Sequence, residues 1–222
     1  MRIIRWIILL ELVAFSGCVF AQWVPVSHSQ TTTVETIGAD GKTISREQRR
    51  ERFYRKSNGS VLIQQIPNDG SNTPLSAILL DAGKTHRSFT LDYVSGIATD
   101  RHRPAENTAP QTREFLEKAA PENRPPEQTV NGIQCVVKPV SLATPDGSFK
   151  TIGKVWLAPD YNFLVIKEDT MHPLHGGGYV HITREAHNVT AGVELDEALF
   201  ATDEQSIKRA RAISGPKPRR KP

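Results

Sequence analysis

The chain has 222 residues, 38% of them hydrophobic and 23% charged, with 28 basic side chains against 24 acidic ones and only two cysteines. That is enough apolar material for one modest core, and the cysteine count excludes a disulfide-built scaffold. Charge is unevenly placed: Lys208, Arg209, Arg211, Lys217, Arg219, Arg220 and Lys221 crowd into 205–222 without an acid, so the stretch 22–204 carries about −4.

Residues 1–21 read as an export signal. Arg2 and Arg5 make a basic start, Trp6 to Phe20 an apolar stretch, and Val19-Phe20-Ala21 a small-residue cleavage site. The preferred reading is a cut after Ala21 that frees a periplasmic or secreted chain beginning at Gln22. Two alternatives stay open. Phe15-Ser16-Gly17-Cys18 resembles a lipoprotein signal, in which the Cys18 thiol is lipidated. Ile3 to Phe20 is also about long enough for an uncleaved anchor, although Glu11 in its middle is costly there. Once the signal is removed Cys135 stands alone, so no internal disulfide can staple the mature chain. It lies in the β-type run Ile133 to Val137 and reads as a buried, inert thiol.

From Thr31 onward the pattern is β. Thr31 to Ile37 is rich in β-branched residues and is followed by Asp40-Gly41, a strong hairpin signal. Lys42 to Lys56 continues the hairpin. Its charged part, Ser45 to Arg52, has helix formers but no apolar stripe at helical spacing, so a long solvent-facing strand is preferred. Ser57-Asn58-Gly59 offers a second turn, Ser60 to Ile66 a third strand, and Pro67-Asn68-Asp69-Gly70 its close. Leu75 to Leu80, Arg87 to Tyr93 and Gly96 to His102 add further strands. Arg103 to Gln128 holds five prolines and reads as a Pro-rich insertion, with a short helix over Thr112 to Ala120.

The second half repeats the β pattern. Val130 to Leu142 reads as one strand region in which Pro139 marks an edge or a bulge. Pro145-Asp146-Gly147 is a turn, and Ile152 to Leu157 leads through Ala158-Pro159-Asp160-Tyr161-Asn162 into Phe163 to Lys167 as a clear hairpin. Tyr179 to Glu185 alternates apolar and polar residues. Regularly spaced strands with few helices between them predict a mainly β fold, an antiparallel and strongly curved sheet forming an open or half barrel with one or two short helices. The expected organisation is a signal at 1–21, a single β domain over 22–204 with the insertion 103–128, and a disordered basic tail at 205–222.

Chemical signatures are sparse. His172-Pro173-Leu174-His175, three glycines and His181 supply three imidazoles, the donor type of zinc and copper sites, but the spacing matches no metal-ligand pattern. His86, His102 and His187 read as surface residues. There is no nucleophile elbow, phosphate loop or zinc-protease motif. Adjacent acids such as Glu168-Asp169 and Asp196-Glu197 would point to opposite faces of a strand. No catalytic residue, metal ligand or cofactor is therefore assigned, and the ligand-binding residues stay unassigned. The tail suits an anionic envelope surface, not nucleic acid, since no aromatics are interleaved with its cations. If the sheet curls, Trp156, Phe163, Val165 and Phe89 could line one concave apolar face.

Several landmarks occur in a shared order. They are Phe20-Ala21-Gln22, Asp40-Gly41-Lys42-Thr43-Ile44, Phe53-Tyr54-Arg55-Lys56-Ser57-Asn58-Gly59, Phe89-Thr90-Leu91-Asp92, Val130-Asn131-Gly132, Val155-Trp156-Leu157-Ala158-Pro159-Asp160 and Glu197-Ala198-Leu199-Phe200. On these the chain resembles an uncharacterised family of exported bacterial β-rich proteins. More distantly, its strand alternation and Trp–Pro–Asp hairpin resemble periplasmic lipoprotein-carrier proteins of the half-barrel kind. That resemblance implies an open antiparallel barrel that handles lipid or lipoprotein, and it transfers no functional residue. The expected function is a non-enzymatic, exported envelope protein that binds a lipid-like ligand or a lipoprotein on a curved sheet. The alternatives are a structural or interaction protein with a self-filled core, and a metal-dependent enzyme using His172, His175 and His181.

Overall fold

The computed structural model describes residues 22–82, 87–104, 110–118, 120–144 and 147–200. The export signal with Cys18, His86 and the basic tail 205–222 lie outside them. Six strands make a first meander: β1 (Val26–Ile37), β2 (Thr43–Arg55), β3 (Val61–Ile66), β4 (Ser76–Asp81), β5 (Arg87–Asp92) and β6 (Ile97–Pro104). A connection carrying the short helix α1 (Arg113–Glu117) and a 3-10 turn at Pro121–Asn123 follows. The second meander is β7 (Glu127–Val130), β8 (Ile133–Ala143), β9 (Phe149–Ala158), β10 (Leu164–Pro173) and β11 (Tyr179–Ala191). Because β11 pairs antiparallel along β1, the two meanders join into one 11-stranded sheet in the order β6-β5-β4-β3-β2-β1-β11-β10-β9-β8-β7. Its edges, β6 and β7, are unpaired with each other among the described residues, so the sheet is open. The mainly β, antiparallel fold class expected from the sequence is what the chain adopts. Among the described residues no helix is long and apolar enough to cross a membrane.

The charged stretch after the first hairpin is indeed a strand. In β2 the residues Thr43 to Arg50 are exposed, and Arg46 reaches across to its partner Glu35 on β1 at 3.4 Å. Without an apolar stripe a helix there would have nothing to bury, whereas a strand gains a ladder from β1. The single strand expected over Val130 to Leu142 is corrected. Asn131 and Gly132 both take positive φ (50° and 78°) and split it into the hairpin β7–β8. Asn-Gly supplies the two left-handed residues that a tight hairpin needs. Strand β7 also begins inside the Pro-rich insertion as drawn from the sequence. Pro139 sits on β8 beyond the short β7, where its missing N–H faces no partner strand, and a register shift follows at Val140/Ser141.

Curvature follows from contacts between strands that are not neighbours. On a flat sheet β7 and β11 would stand about 19 Å apart. Yet Asn131, in the β7–β8 turn, donates its side-chain amide to the Ala186 carbonyl (2.9 Å) and to Glu185 Oε1 (3.0 Å) on β11. A second tie lies at the start of β1. Asn162 Oδ1 in the β9–β10 turn accepts the Val24 N–H (2.6 Å), while Asn162 Nδ2 donates to the Gln111 carbonyl (3.1 Å). Arg55, at the end of β2, donates to the Val24 and Tyr161 carbonyls under the Trp23 ring. Arg113 of α1 grips Asp160 of the same turn through two hydrogen bonds.

Two apolar clusters meet β2 from opposite faces. Phe53 packs on Val26, Cys135, Ala158, Leu164, Ile166 and Ala186, whereas its neighbour Tyr54 packs on Leu62, Ala77 and Leu79. Phe200, from the segment after β11, covers the second cluster, and the buried Lys56 ammonium lies over its ring while pairing with the Glu197 carboxylate. Trp156 and Phe89, expected on one concave face, pack on different clusters. Trp156 belongs to the first cluster and Phe89 to the second.

Candidate functional site

Strands β9, β10 and β11 reach the end of the sheet where β1 turns into β2. There they enclose a groove of about 660 Å³, within the range of small-molecule sites. Ile152, Trp156, Met171, Pro173 and Tyr179 supply its apolar wall, and Lys150, Lys154 and Asp169 its polar edge. The pleat explains the set. Asp169, Met171 and Pro173 alternate onto one face of β10, and the register puts Lys154 opposite Asp169, Trp156 opposite Lys167 and Tyr179 opposite Pro173. Gly153 makes the floor. A Cβ at this position would collide with the Asp169 carbonyl oxygen, so only glycine lets β9 press so closely on β10.

Trp156 is held by a hydrogen bond from its indole N–H to Gln128 Oε1 (2.8 Å), and the Lys167 ammonium stands 5.1 Å from the ring centroid. Asp169 accepts from His181 Nε2 (2.8 Å), and the other ring nitrogen lies 3.7 Å from Glu35, which Arg46 also pairs. The acid at the groove is thus engaged by a charged ladder running across the sheet. Lys150 and Lys154 have no ion-pair partner among the described residues. A second hollow of about 350 Å³ has only polar walls, among them Thr31, Thr33, Gln48, Lys167, Glu185 and His187.

The three candidate histidines are not brought together. Met171 pairs with His181 and His172 with Val180, so His172 and His181 project to opposite faces, and His175 sits exposed in the turn between β10 and β11. His172 instead contacts the Thr170 hydroxyl (3.1 Å). No cluster of three or more potential metal ligands occurs among the described residues. His187 is exposed as expected. Glu168 and Asp169 do point apart, one towards Arg184 and the other towards His181. Cys135 is buried, and that burial pushes its thiol up to about 11, far from a nucleophile's range.

One residue escaped the sequence reading altogether. His28 is buried on β1 in a row with Gln30 and Thr32, stacked on Phe53 with ring centroids 4.8 Å apart. Burial, reinforced by the nearby cations Arg55 and Arg184 and by His187, lowers its pKa to about 4. Gln30 and Thr32 both donate to Glu51 Oε2 (2.6 and 3.3 Å). The alternation Val26, His28, Gln30, Thr32 was present in the sequence, but its polar members hid a buried face.

No family model and no curated protein matches the chain. Among solved structures it is similar to a DUF1329 family protein from Desulfovibrio piger, with 12% identity and a TM-score of 0.36 over 81% of this chain and 90% of that one. It is similar too to a LolA superfamily protein from Nitrosomonas europaea, with 8% identity and a TM-score of 0.32 over 79% and 90%. A third likeness is to a Vibrio parahaemolyticus domain described as outer membrane lipoprotein-sorting, with 11% identity and a TM-score of 0.35 over 84% and 92%.

Proposed function

We propose that the protein is a non-enzymatic binding protein that holds the acyl chain of an anionic amphiphile in the groove between β9 and β11. The observation that carries this reading is the union, in one groove, of an apolar wall built on Trp156, Met171 and Tyr179 with the ammonium groups of Lys150 and Lys154, which have no ion-pair partner among the described residues. The wall removes a hydrocarbon chain from water, and the two cations meet its head at the edge. The hollow lined by Thr31 and Gln48 is smaller, about 350 Å³, and among the described residues no aliphatic, Phe, Tyr or Trp side chain lines it. The address proposed with this activity is periplasmic or secreted, with a mature chain from Gln22, and it is supported by the signal-like residues 1–21.

Calorimetric titration with decanoate and with decanol tests the reading. Decanoate is expected to bind, with Trp156→Ala abolishing measurable heat. Exchanging both rim cations (Lys150→Glu with Lys154→Glu) is expected to weaken decanoate about 3- to 10-fold, the size of two solvent-exposed ion pairs, while leaving decanol unchanged. Equal binding of decanoate to the parent chain and to Trp156→Ala would sink the proposal.

A further inference from the structure

The exposed apolar side chains of this protein are not scattered. Ile37 ends β1 opposite both Tyr179, which starts β11, and Thr43, which starts β2. Tyr179 is also opposite Pro173 at the end of β10, and Ala143 is opposite Phe149 where β8 turns into β9. Three hairpin turns therefore end at one rim of the sheet, at the mouth of the groove that Lys150, Pro173 and Gly178 line. At this rim stand Ile44, 71% exposed, and Phe149, 76% exposed, together with Leu142, Met171 and Leu174. Isolated exposed apolar residues are ordinary, but several gathered on neighbouring turns mark a surface that meets something apolar.

The charges beside them identify the partner. Lys150 follows Phe149 directly, and Lys154 lies further along the same strand; neither is ion-paired among the described residues. Among the described residues at this rim, Asp40 is engaged by Lys42 (3.6 Å) and Asp169 by His181. Apolar tips backed by ammonium groups match a bilayer interface with anionic headgroups, where the side chains enter the acyl boundary and the cations stay at phosphate level. We propose that this rim is a membrane-docking edge, which seats the open end of the groove against an anionic bilayer. The inference extends the groove reading without depending on it.

Co-sedimentation of the full mature chain with vesicles decides the matter, using phosphatidylcholine mixed with phosphatidylglycerol and phosphatidylcholine alone. The parent is expected to partition onto the mixed vesicles. The double variant Phe149→Ser with Leu174→Ser is expected to lose at least about tenfold of that partitioning, since two buried apolar side chains are removed from the interface. Its midpoint in urea unfolding should match the parent's, which shows that the fold is intact. Conversely Trp156→Ala should still bind vesicles even where decanoate binding is lost, so failure of the groove reading and failure of the rim reading are separable. Unchanged vesicle binding by Phe149→Ser with Leu174→Ser would overturn the inference, as the basic tail alone would then explain attachment. It would also fall if the parent proved to be a dimer that the double variant dissolves, because the rim would then be an interface between two copies of the chain.

Discussion

Replacing His28 with Phe keeps a ring stacked on Phe53 and removes the one titrating group in that stack. In the folded chain the imidazole has a pKa of about 4, below its ordinary 6.5, because burial disfavours its charged form. A depressed histidine pKa means that the unfolded chain takes up a proton the folded chain refuses. Stability is therefore fully present above the ordinary value and drains away as pH falls from 6.5 towards about 4. One proton limits the slope to about 1.4 kcal/mol per pH unit, so about 2 kcal/mol is gone by about pH 5. The charged groups facing His28, namely Arg55, Arg184 and His187, are all basic, and none offers the imidazolium a counter-charge. Carboxylates elsewhere titrate in both proteins, so the informative quantity is the difference between parent and His28→Phe. Urea unfolding from about pH 7.5 down to about pH 5 measures it. The variant should lose about 2 kcal/mol less than the parent over that range. Parallel curves for the two proteins would refute the reasoning, since they would mean that the imidazole is charged or solvated in the fold.

Asn162→Ala should lower stability by about 2–3 kcal/mol in urea unfolding, because it removes the side chain that joins Val24 to Gln111 and leaves a left-handed residue (φ 52°) with an unfavourable Cβ. Asn162→Gly keeps the backbone conformation comfortable and should recover about 1 kcal/mol of that loss. If the two variants are equally stable, the hydrogen bonds alone account for the residue. Gly153→Ala should push β9 away from the Asp169 carbonyl and deform the groove floor, with decanoate affinity falling at least about tenfold and stability by about 2 kcal/mol. Calorimetry and urea unfolding on the same preparation check both, and an unchanged affinity would show that the floor tolerates a Cβ.

The strands could be read from the sequence because each is short-range chemistry. Asp40-Gly41 and Asn58-Gly59 announce tight turns, and the β-branched run after Thr31 announces what enters them. The Asn131-Gly132 turn is written in the same code and was masked by the apolar residues on both sides, which read as one strand through Pro139. What could not be read is which face of each strand is buried. Periodicity identifies two faces, but a bulge such as that at Val165/Lys167 or Ser27/Ser29 shifts the alternation midway, and register with distant strands decides the outcome. His28 was missed for the related reason that a polar row on β1 is buried by partners supplied from β2 and β11. The groove was half legible: Trp156 stood out as a large aromatic, while Met171, Pro173 and Tyr179 join it only through the pairing of β10 with β9 and β11.

The placement of these ties bears on how the groove could work. The hydrogen bonds that join non-neighbouring strands fall at the turn 159–163, at the start of β1 and along the β7–β8 hairpin, through Asn162, Arg55, Arg113 and Asn131. The groove opens at the other end, where the hairpins after β1, β8 and β10 are joined by their own ladders and by turn contacts such as Gly177 against Ala39. Among the described residues, these ties between non-neighbouring strands gather towards one end of the sheet. Regions with few buried contacts and solvent-exposed ladders have the lowest cost of local opening. A groove set at the other end can widen to admit a chain without breaking the ties that curl the sheet.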